Sequence, residues 1–343
     1  MLDTLATNAL TQLNVVTHRT FALPLLIFYV TARCNSRCAS CDWWKSDGAA
    51  DLTLDEIRAL AAELPALRTR LVVFSGGEPL LRRDVFEMAD VFRAQGLKLH
   101  LLTSGLFLER DAEQIATHFE EVTLSLDGHT RDLYRQIRGV DGLEAIERGV
   151  RKLKARAPLL SMRARSTLHR HNFRELPYLI DKAKALGLAQ ISFLAADVTS
   201  EAFGRRAETS TRGLLLSESE VEEFTCVVEE TLVSHAQDFG SHLVAESPDK
   251  LRRLPRYYAA QLGNGPFPPV ACNAPWVSAV VEADGAVRPC YFHPAVGNIR
   301  QKSLPQILQQ EMRAFRSNLD VSSSATCSRC VCSLKMGLRT RLW

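Results

Sequence analysis

Apolar and polar positions follow one another in a repeating order along the first two hundred residues. A short apolar run, "LPLLIFYV" (23–30), is followed by "TLDEIRALAAEL" (53–64), where a threonine precedes apolar residues at helical spacing, and then by a second run, "RLVVFSG" (70–76). Short uninterrupted apolar runs predict buried strands, and a 3.6-residue spacing behind a Thr cap predicts a helix. The same reading gives helix 84–95, strand 98–103, helix 110–118, strand 121–126, helices 130–137 and 142–156, strand 159–168, helix 173–186 and strand 189–195. Strands buried on both faces and joined by helical crossovers run parallel, and right-handed crossovers curl them toward a barrel. The predicted fold class is therefore α/β, a partial (βα)6 TIM-like barrel over residues 21–200. Its reactive rim is expected at the carboxyl ends of the strands. Residues 1–20 are read as an N-terminal extension.

The pattern changes beyond residue 200. "SESEVEEFTCVVEETLVSHA" (217–236) predicts a helix with Cys226 on its apolar stripe, expected to be a buried thiol. "PRYYAAQLGNGPFPPVACNAP" (255–275) is Pro/Gly-rich and reads as a connector, so 201–270 is taken as helix and linker. Next come strand 276–282, an Asp284-Gly285 turn of the kind hairpins favour, strand 286–289 and helix 303–319. A small cysteine-rich β-hairpin/helix domain is thus expected over 271–343. Alone it is too small to bury a good core, which makes a metal staple plausible.

Composition fits an ordinary globular enzyme of roughly two domains, with 46% apolar and 24% charged residues in 343. The net charge of +3 is small and scattered, giving no ground for a nucleic-acid partner. The opening "MLDTLATNALTQLNVVTHRT" lacks a basic region followed by an apolar stretch and a cleavage site, so no secretory signal is expected. The longest apolar stretch, "FALPLLIFYVTA", is about half of the ~20 residues of a membrane span and contains Pro24. A soluble, cytoplasmic protein with no membrane partner is expected. Nine cysteines, an odd number, then point to metal or redox use rather than a disulfide framework.

The chemical residues cluster after the predicted strands. Cys34, Cys38 and Cys41 follow the first, "GGEP" (Gly76, Gly77, Glu78, Pro79) the second, "TSG" with Ser104 the third, and "SLDG" with Ser125 and Asp127 the fourth. Four strands thus aim polar loops into one mouth. Three thiolates satisfy three irons of a cubane 4Fe-4S cluster, whose full set is normally four cysteines, and leave one iron for a small molecule. A zinc site completed by a distant ligand, or three reduced core cysteines, are the alternatives; their density in a polar loop argues against the last.

The C-x3-C-x2-C loop after the first strand, together with "GGEP" and "SLDG", resembles the radical SAM superfamily over about residues 21–200. That resemblance implies a SAM-binding 4Fe-4S cluster on Cys34, Cys38 and Cys41 whose open iron chelates the amino and carboxylate groups of S-adenosyl-L-methionine. One-electron cleavage then gives methionine and a 5'-deoxyadenosyl radical that abstracts hydrogen from substrate. An external electron donor such as flavodoxin or ferredoxin is implied. Gly76, Gly77 and Pro79 would let the backbone come close, Glu78 would accept from the methionine ammonium or order its loop, and Ser104, Ser125 and Asp127 would bond ribose hydroxyls or the methionine end. Arg138, or Arg163 or Arg165 on strand five, would meet the methionine carboxylate. The chain departs from the family in having Ser40 where an aromatic residue commonly precedes the third cysteine; Trp43 and Trp44 are expected to replace that wall or to act as core anchors.

The tail pattern, C-x12-G-x4-C and later C-x2-C, resembles the SPASM/twitch extensions of the same enzymes, although by spacing alone zinc fits as well. Its five cysteines are too few for two clusters. The twitch form is favoured, with a second auxiliary 4Fe-4S cluster on Cys272, Cys290, Cys327 and Cys330, and Cys332 as an alternative ligand or a spare. The resemblance implies modification of an unactivated C–H position. Only about twenty residues precede strand one, without a winged-helix-like recognition domain, so a small natural-product-type substrate (sugar, nucleoside or antibiotic precursor) is expected over the alternative, a peptide to be matured. A non-catalytic iron-sulfur or zinc protein is the reading of another class, and it leaves "GGEP" and "SLDG" unexplained.

Overall fold

The computed structural model describes residues 2–205 and 212–340. After helix α1 (Leu2–Thr17) the chain alternates strand and helix: β1 (Leu25–Thr31), α2 (Leu54–Glu63), β2 (Leu71–Gly76), α3 (Val85–Ala94), β3 (Lys98–Thr103), α4 (Ala112–His118), β4 (Glu121–Ser125), α5 (Arg131–Arg138), α6 (Leu143–Arg156), β5 (Ser161–Leu168), α7 (Leu176–Ala185) and β6 (Gln190–Ala195). These strands pair in sequence order and all in parallel, as an open (βα)6 partial barrel. The expected Thr53 cap is a full capping box: its hydroxyl accepts from the Glu56 amide while the Glu56 carboxylate accepts from the Thr53 amide.

Of these six strands only β1 is buried at every position. In β3, β4, β5 and β6 burial alternates, with Leu99, Leu101, Val122, Leu124, Met162, Ala164, Ile191 and Phe193 packed in the core. The other face carries His100, Glu121, Thr123, Arg163, Arg165 and Ser192. The expectation of strands apolar on both faces is thus corrected for these four. An unclosed barrel leaves its concave face open to solvent, so that face is polar, like one side of a half-wetted sheet.

The tail joins this sheet. Strand β7 (Ser278–Val281) lies parallel to β1, from Leu25↔Ser278 to Phe28↔Val281, and β8 (Ala286–Arg288) and β9 (Gly297–Asn298) follow antiparallel. The sheet order is β6-β5-β4-β3-β2-β1-β7-β8-β9 among the described residues. The predicted strand 276–282 is shorter because Ala274–Val277 forms a helical turn. The predicted helix 303–319 is two helices, α10 (Leu304–Gln309) and α11 (Glu311–Asn318) by chain order after α8 (Glu218–Ser234) and α9 (Arg253–Gln261), broken at Gln310 with φ −106° and ψ −82°. The tail also does not lack a core: Val281, Val287, Leu304, Ile307, Leu308 and Met312 belong to the main cluster around Leu26 and Phe28.

Three further expectations change. Residues 253–261 of the supposed connector are helical and bury Tyr257 and Tyr258. Cys226 is exposed, because α8 packs through Phe224, Val228 and Thr231, and a residue two positions after Phe224 points away. Residues 2–17 are helical, and their inward face is polar. Asn14 donates to the carbonyls of Ala22 and Trp276, both at 2.7 Å, and Asn8 donates to those of Leu338 and Thr340 at 3.0 and 2.9 Å, so α1 straps the tail to the barrel.

Because Ile307 is fully buried in the barrel's own core, Ile307→Ala should lower the unfolding free energy of the whole chain by about 2–5 kcal/mol, read by urea denaturation. A cost under about 0.5 kcal/mol would show that the tail packs independently.

Candidate functional site

The segment bearing Cys34, Cys38 and Cys41 leaves the carboxyl end of β1 and is held from three directions. On the β2 side, the amide of Gly77 donates to Thr31 O at 2.9 Å and that of Glu78 to Arg33 O at 2.8 Å, prolonging the β1–β2 ladder. Contact here is close enough to require glycine: Gly76 has φ +106°, and a Cβ on Gly77 would lie 2.0 Å from the Arg33 carbonyl oxygen. From α5, the carbonyls of Arg138 and Ile137 accept from the amides of Arg37 and Ala39 at 2.8 and 2.9 Å. Gly139, the left-handed C-cap of α5, admits Arg37 where a Cβ would stand 2.7 Å from that residue's own Cβ. Finally Asp42 donates its amide to Phe203 O at 2.9 Å, and the Phe203 segment is itself fastened by a buried Arg205–Asp197 ion pair.

All three thiols face a cleft of about 1140 Å³, open mouth included. Burial disfavours their ionised forms, pushing Cys34 up to about 11 and Cys41 up to about 12, with Cys38 raised as well. As ligands in their thiolate form they would need a cationic partner to offset that burial. Gly76, Gly77, Ser104, Ser125, Arg138 and Arg165 also line this cleft. Two of their atoms are buried without a hydrogen-bond partner among the described residues, Ser104 Oγ and Arg138 Nε. Unspent donors beside three thiols fit a polar cofactor seated on a cluster.

Glu78, Pro79 and Asp127 stand behind that lining. Glu78 is fully buried, and its carboxylate accepts from the Thr103 hydroxyl at 2.8 Å and from the amides of Ser104 and Leu80 at 2.7 and 3.1 Å. It ties the loop after β2 to the loop after β3. Pro79 is buried at the head of a single turn, Pro79–Leu81. Asp127 accepts from Arg138 Nη1 at 2.9 Å and from the Thr167 amide at 2.7 Å. Burial opposes the charge of Arg138, but Cys38, Asp127, Tyr134 and Cys34 outweigh it and raise its pKa well above the ordinary value. Arg163 does not reach the cleft; it pairs with Glu121 at 3.0 Å.

Beside Ser40 the cleft is bordered by an aromatic cluster assembled from distant segments. Trp43 meets Tyr29 edge-on at 5.7 Å, Tyr29 stacks with Tyr291 at 6.4 Å, and Tyr291 with Phe203 at 6.1 Å. Trp44 does not take part. Sequence reading missed Tyr29, Phe203 and Tyr291; the position of Tyr291 directly after Cys290 was the available signal.

Behind the wall, Cys272, Cys290, Cys327, Cys330 and Cys332 all line a second cavity of about 630 Å³ with Ile27, His293 and Leu334. Burial pushes Cys290 up to about 11 and raises Cys327 and Cys330 too. His293 Nε2 lies 3.3 Å from Cys327 Sγ. Among the described residues no three Cys, His, Asp or Glu side chains converge on a single metal ion. The five thiols line one cavity, and a polynuclear cluster would take its ligands from separate positions around such a space. Cys332, Tyr291 and Phe292 line both cavities.

Comparison with known proteins agrees with this geometry. Residues 28–183 match the radical SAM superfamily, and residues 272–331 match the SPASM iron-sulfur cluster-binding domain. The chain is 25% identical to the Fe-coproporphyrin III synthase of Methanosarcina barkeri, over 90% of this chain and 79% of that one. It is 26% identical to the PqqA peptide cyclase of Rhodopseudomonas palustris, over 79% and 68%. Its fold is similar to that of Streptococcus suis SuiB bound to precursor peptide SuiA, with a TM-score of 0.64 at 13% identity, covering 91% of this chain and 71% of that one.

Two variants separate the parts of the site. Gly77→Ala should push the Arg33 carbonyl aside and lose the cluster next to it, lowering iron by about four per chain while the tail cluster stays. Glu78→Ala should keep all its iron but bind S-adenosylmethionine about ten- to hundredfold more weakly by titration calorimetry, since the loop holding Ser104 loses its anchor. Unchanged iron in the first, or unchanged affinity in the second, would contradict these assignments.

Proposed function

Because the chain is a radical SAM enzyme with a SPASM-type iron-sulfur cluster-binding domain, we propose that it modifies an unactivated C–H position of a peptide substrate held in the cleft between its two cysteine groups. The observation that carries this reading is the shared cleft. The thiols of Cys34, Cys38 and Cys41 face it from the barrel, and Tyr291, Phe292 and Cys332 face it from the tail. Any group seated there lies between two iron-sulfur sites.

When bound, the first cluster and S-adenosylmethionine supply a one-electron cleavage that yields a hydrogen-abstracting 5'-deoxyadenosyl radical. In this reading Cys34, Cys38 and Cys41 hold that cluster, and Cys272, Cys290, Cys327 and Cys330 hold the auxiliary one. Arg138, fixed by Asp127, offers its unspent Nε–H to the methionine carboxylate, and Ser104 and Ser125 offer hydroxyls to the cofactor's polar end. Glu78 acts one step removed by setting the Ser104 loop. Trp43, Tyr291 and Phe203, with Tyr29 packed behind them, exclude water from the reacting region, which protects a radical from quenching.

The peptide reading is supported by the PqqA peptide cyclase among the relatives and by the similarity in fold to SuiB bound to its precursor peptide. A small-molecule substrate is the second reading, favoured by the Fe-coproporphyrin III synthase, which matches a larger share of this chain.

Anaerobically reconstituted protein given dithionite and S-adenosylmethionine should form 5'-deoxyadenosine, and a Cys34, Cys38, Cys41 triple-alanine variant should not. Equal yields from both would sink the enzyme assignment. Peptides encoded by neighbouring genes, added to the same mixture, should change mass; unchanged peptides alongside turnover of a small molecule would move the proposal to the second reading.

A further inference from the structure

Each cysteine assigned to the tail cluster has a hydrogen-bond donor on its sulfur. The Ala274 amide donates to Cys272 Sγ at 3.4 Å, and the Cys332 amide donates to Cys330 Sγ at 3.4 Å. The amides of Phe292 and His293 serve Cys290. In these three cases the donor is backbone two or three residues further along the chain, so the loop supplies it whatever side chains it carries. Cys327 is different, because its sulfur meets side chains: the hydroxyl of Ser324 and the imidazole of His293, whose Nε2 lies 3.3 Å away.

His293 is held in that position from outside the cysteine segments. It is 6% exposed and stands 34 residues before Cys327 in the chain. Its carbonyl accepts from Arg288 Nη1 at 3.1 Å, Arg288 is itself paired with Glu282 at 2.8 Å, and the imidazole meets the ring of Phe315 on α11 edge-on at 4.9 Å. Backbone and ring are both fixed, with Nε2 beside the sulfur. A sulfur bound to iron has no proton to give, so the hydrogen of this contact belongs to Nε2. Ser324 also accepts from the Cys327 amide at 3.4 Å, as the N-cap of the helical turn Ala325–Ser328. That leaves His293 as the side chain whose contact with the sulfur is separable from the local fold.

Resting on the ligand set of the functional reading above, we propose that His293 is a positioning residue of the tail site: its Nε2–H donates to the Cys327 sulfur and raises the reduction potential of the cluster held by Cys272, Cys290, Cys327 and Cys330. Reduction adds negative charge that spreads onto the ligating sulfurs, and a donor aimed at one of them stabilises the reduced state more than the oxidised one. The three backbone donors act in the same direction, but only a side chain makes this setting adjustable by substitution.

The test is a potentiometric titration of the full chain, read by electron paramagnetic resonance, in the Cys34, Cys38, Cys41 triple-alanine background so that a single cluster is seen. His293→Phe keeps a ring against Phe315 and removes the donor. It should retain about four irons per chain and, at a fixed potential, lower the ratio of reduced to oxidised cluster about three- to tenfold. At 59 mV per tenfold for one electron, that is a shift of about 30–60 mV to more negative potential. His293→Gln, which restores an N–H, should recover most of the shift. The unsubstituted site carrying nitrogen-15 histidine should show a weak nitrogen coupling to the reduced cluster in pulsed measurements, and this decides the case if His293→Phe loses its iron. An unchanged potential in His293→Phe at full iron would overturn the proposal and leave the ligand set standing. A strong coupling would overturn it by making His293 an iron ligand, and an absent one by removing the contact. A tail that binds no iron in the triple-alanine background would overturn the proposal and the ligand set together.

Discussion

Everything in this molecule is referenced to β1. A central parallel strand must place its N–H and C=O groups on partners along both edges, because none can reach water. On one edge β2 provides them. On the other edge β7 does, from a segment some 250 residues later, in a register that runs from Leu25↔Ser278 to Phe28↔Val281. Both cysteine groups take their position from this strand. The first group leaves its carboxyl end, and the second closes around Ile27, one of its side chains. The strand that completes the sheet therefore also fixes where the tail cavity lies relative to the cleft.

Electrostatics in the cleft follow from how much of it is dry. Buried thiols resist ionisation, and a buried guanidinium resists being charged unless anions surround it. Arg138 resolves that conflict by sitting against Asp127 on one side and the cysteine loop on the other. Asp127 in turn spends its second oxygen on the Thr167 amide, and Asn172 holds the Asp127 carbonyl at 3.0 Å. Little in this chain of contacts is free to relax, so the unspent Nε–H is preorganised rather than induced. Such fixed donors act on a ligand at no cost of reorganisation.

Much of this was legible in the sequence, for reasons that differ by element. The six strands and their crossover helices announce themselves because their apolar spacing matches their period, and the Thr53 cap matches its geometry. The loops carrying Cys34, Gly77, Ser104 and Ser125 were placed correctly at one rim because parallel crossovers leave no other choice. Two of the failures had a common cause, since periodicity reports only faces that are apolar. The inner face of α1 is Thr7, Asn8, Thr11 and Asn14, which looks like solvent-exposed chain until the carbonyls it caps are known. The concave faces of β3 to β6 are polar because the barrel is open, a property of closure that no single strand encodes. Glu78 shows a subtler limit. Its residue type suited either a direct contact with an ammonium group or the ordering of its loop, and its three internal hydrogen bonds, which no sequence pattern announces, place it behind the lining in the second position.

The shared wall between the cavities gives the architecture its functional logic. Five thiols surround the tail cavity where four suffice for a cubane, and Cys332 is the one that also borders the cleft. Tyr291 follows a cysteine on the other side of the same boundary and stacks on Tyr29 from β1. The partition between cleft and tail is therefore about one side chain thick, built from a thiol and stacked rings instead of a packed helix. Under the proposed function, so thin a partition would keep a reacting group in the cleft and a cluster in the tail at short range, and β7 pairing on β1 is what holds the two sides together.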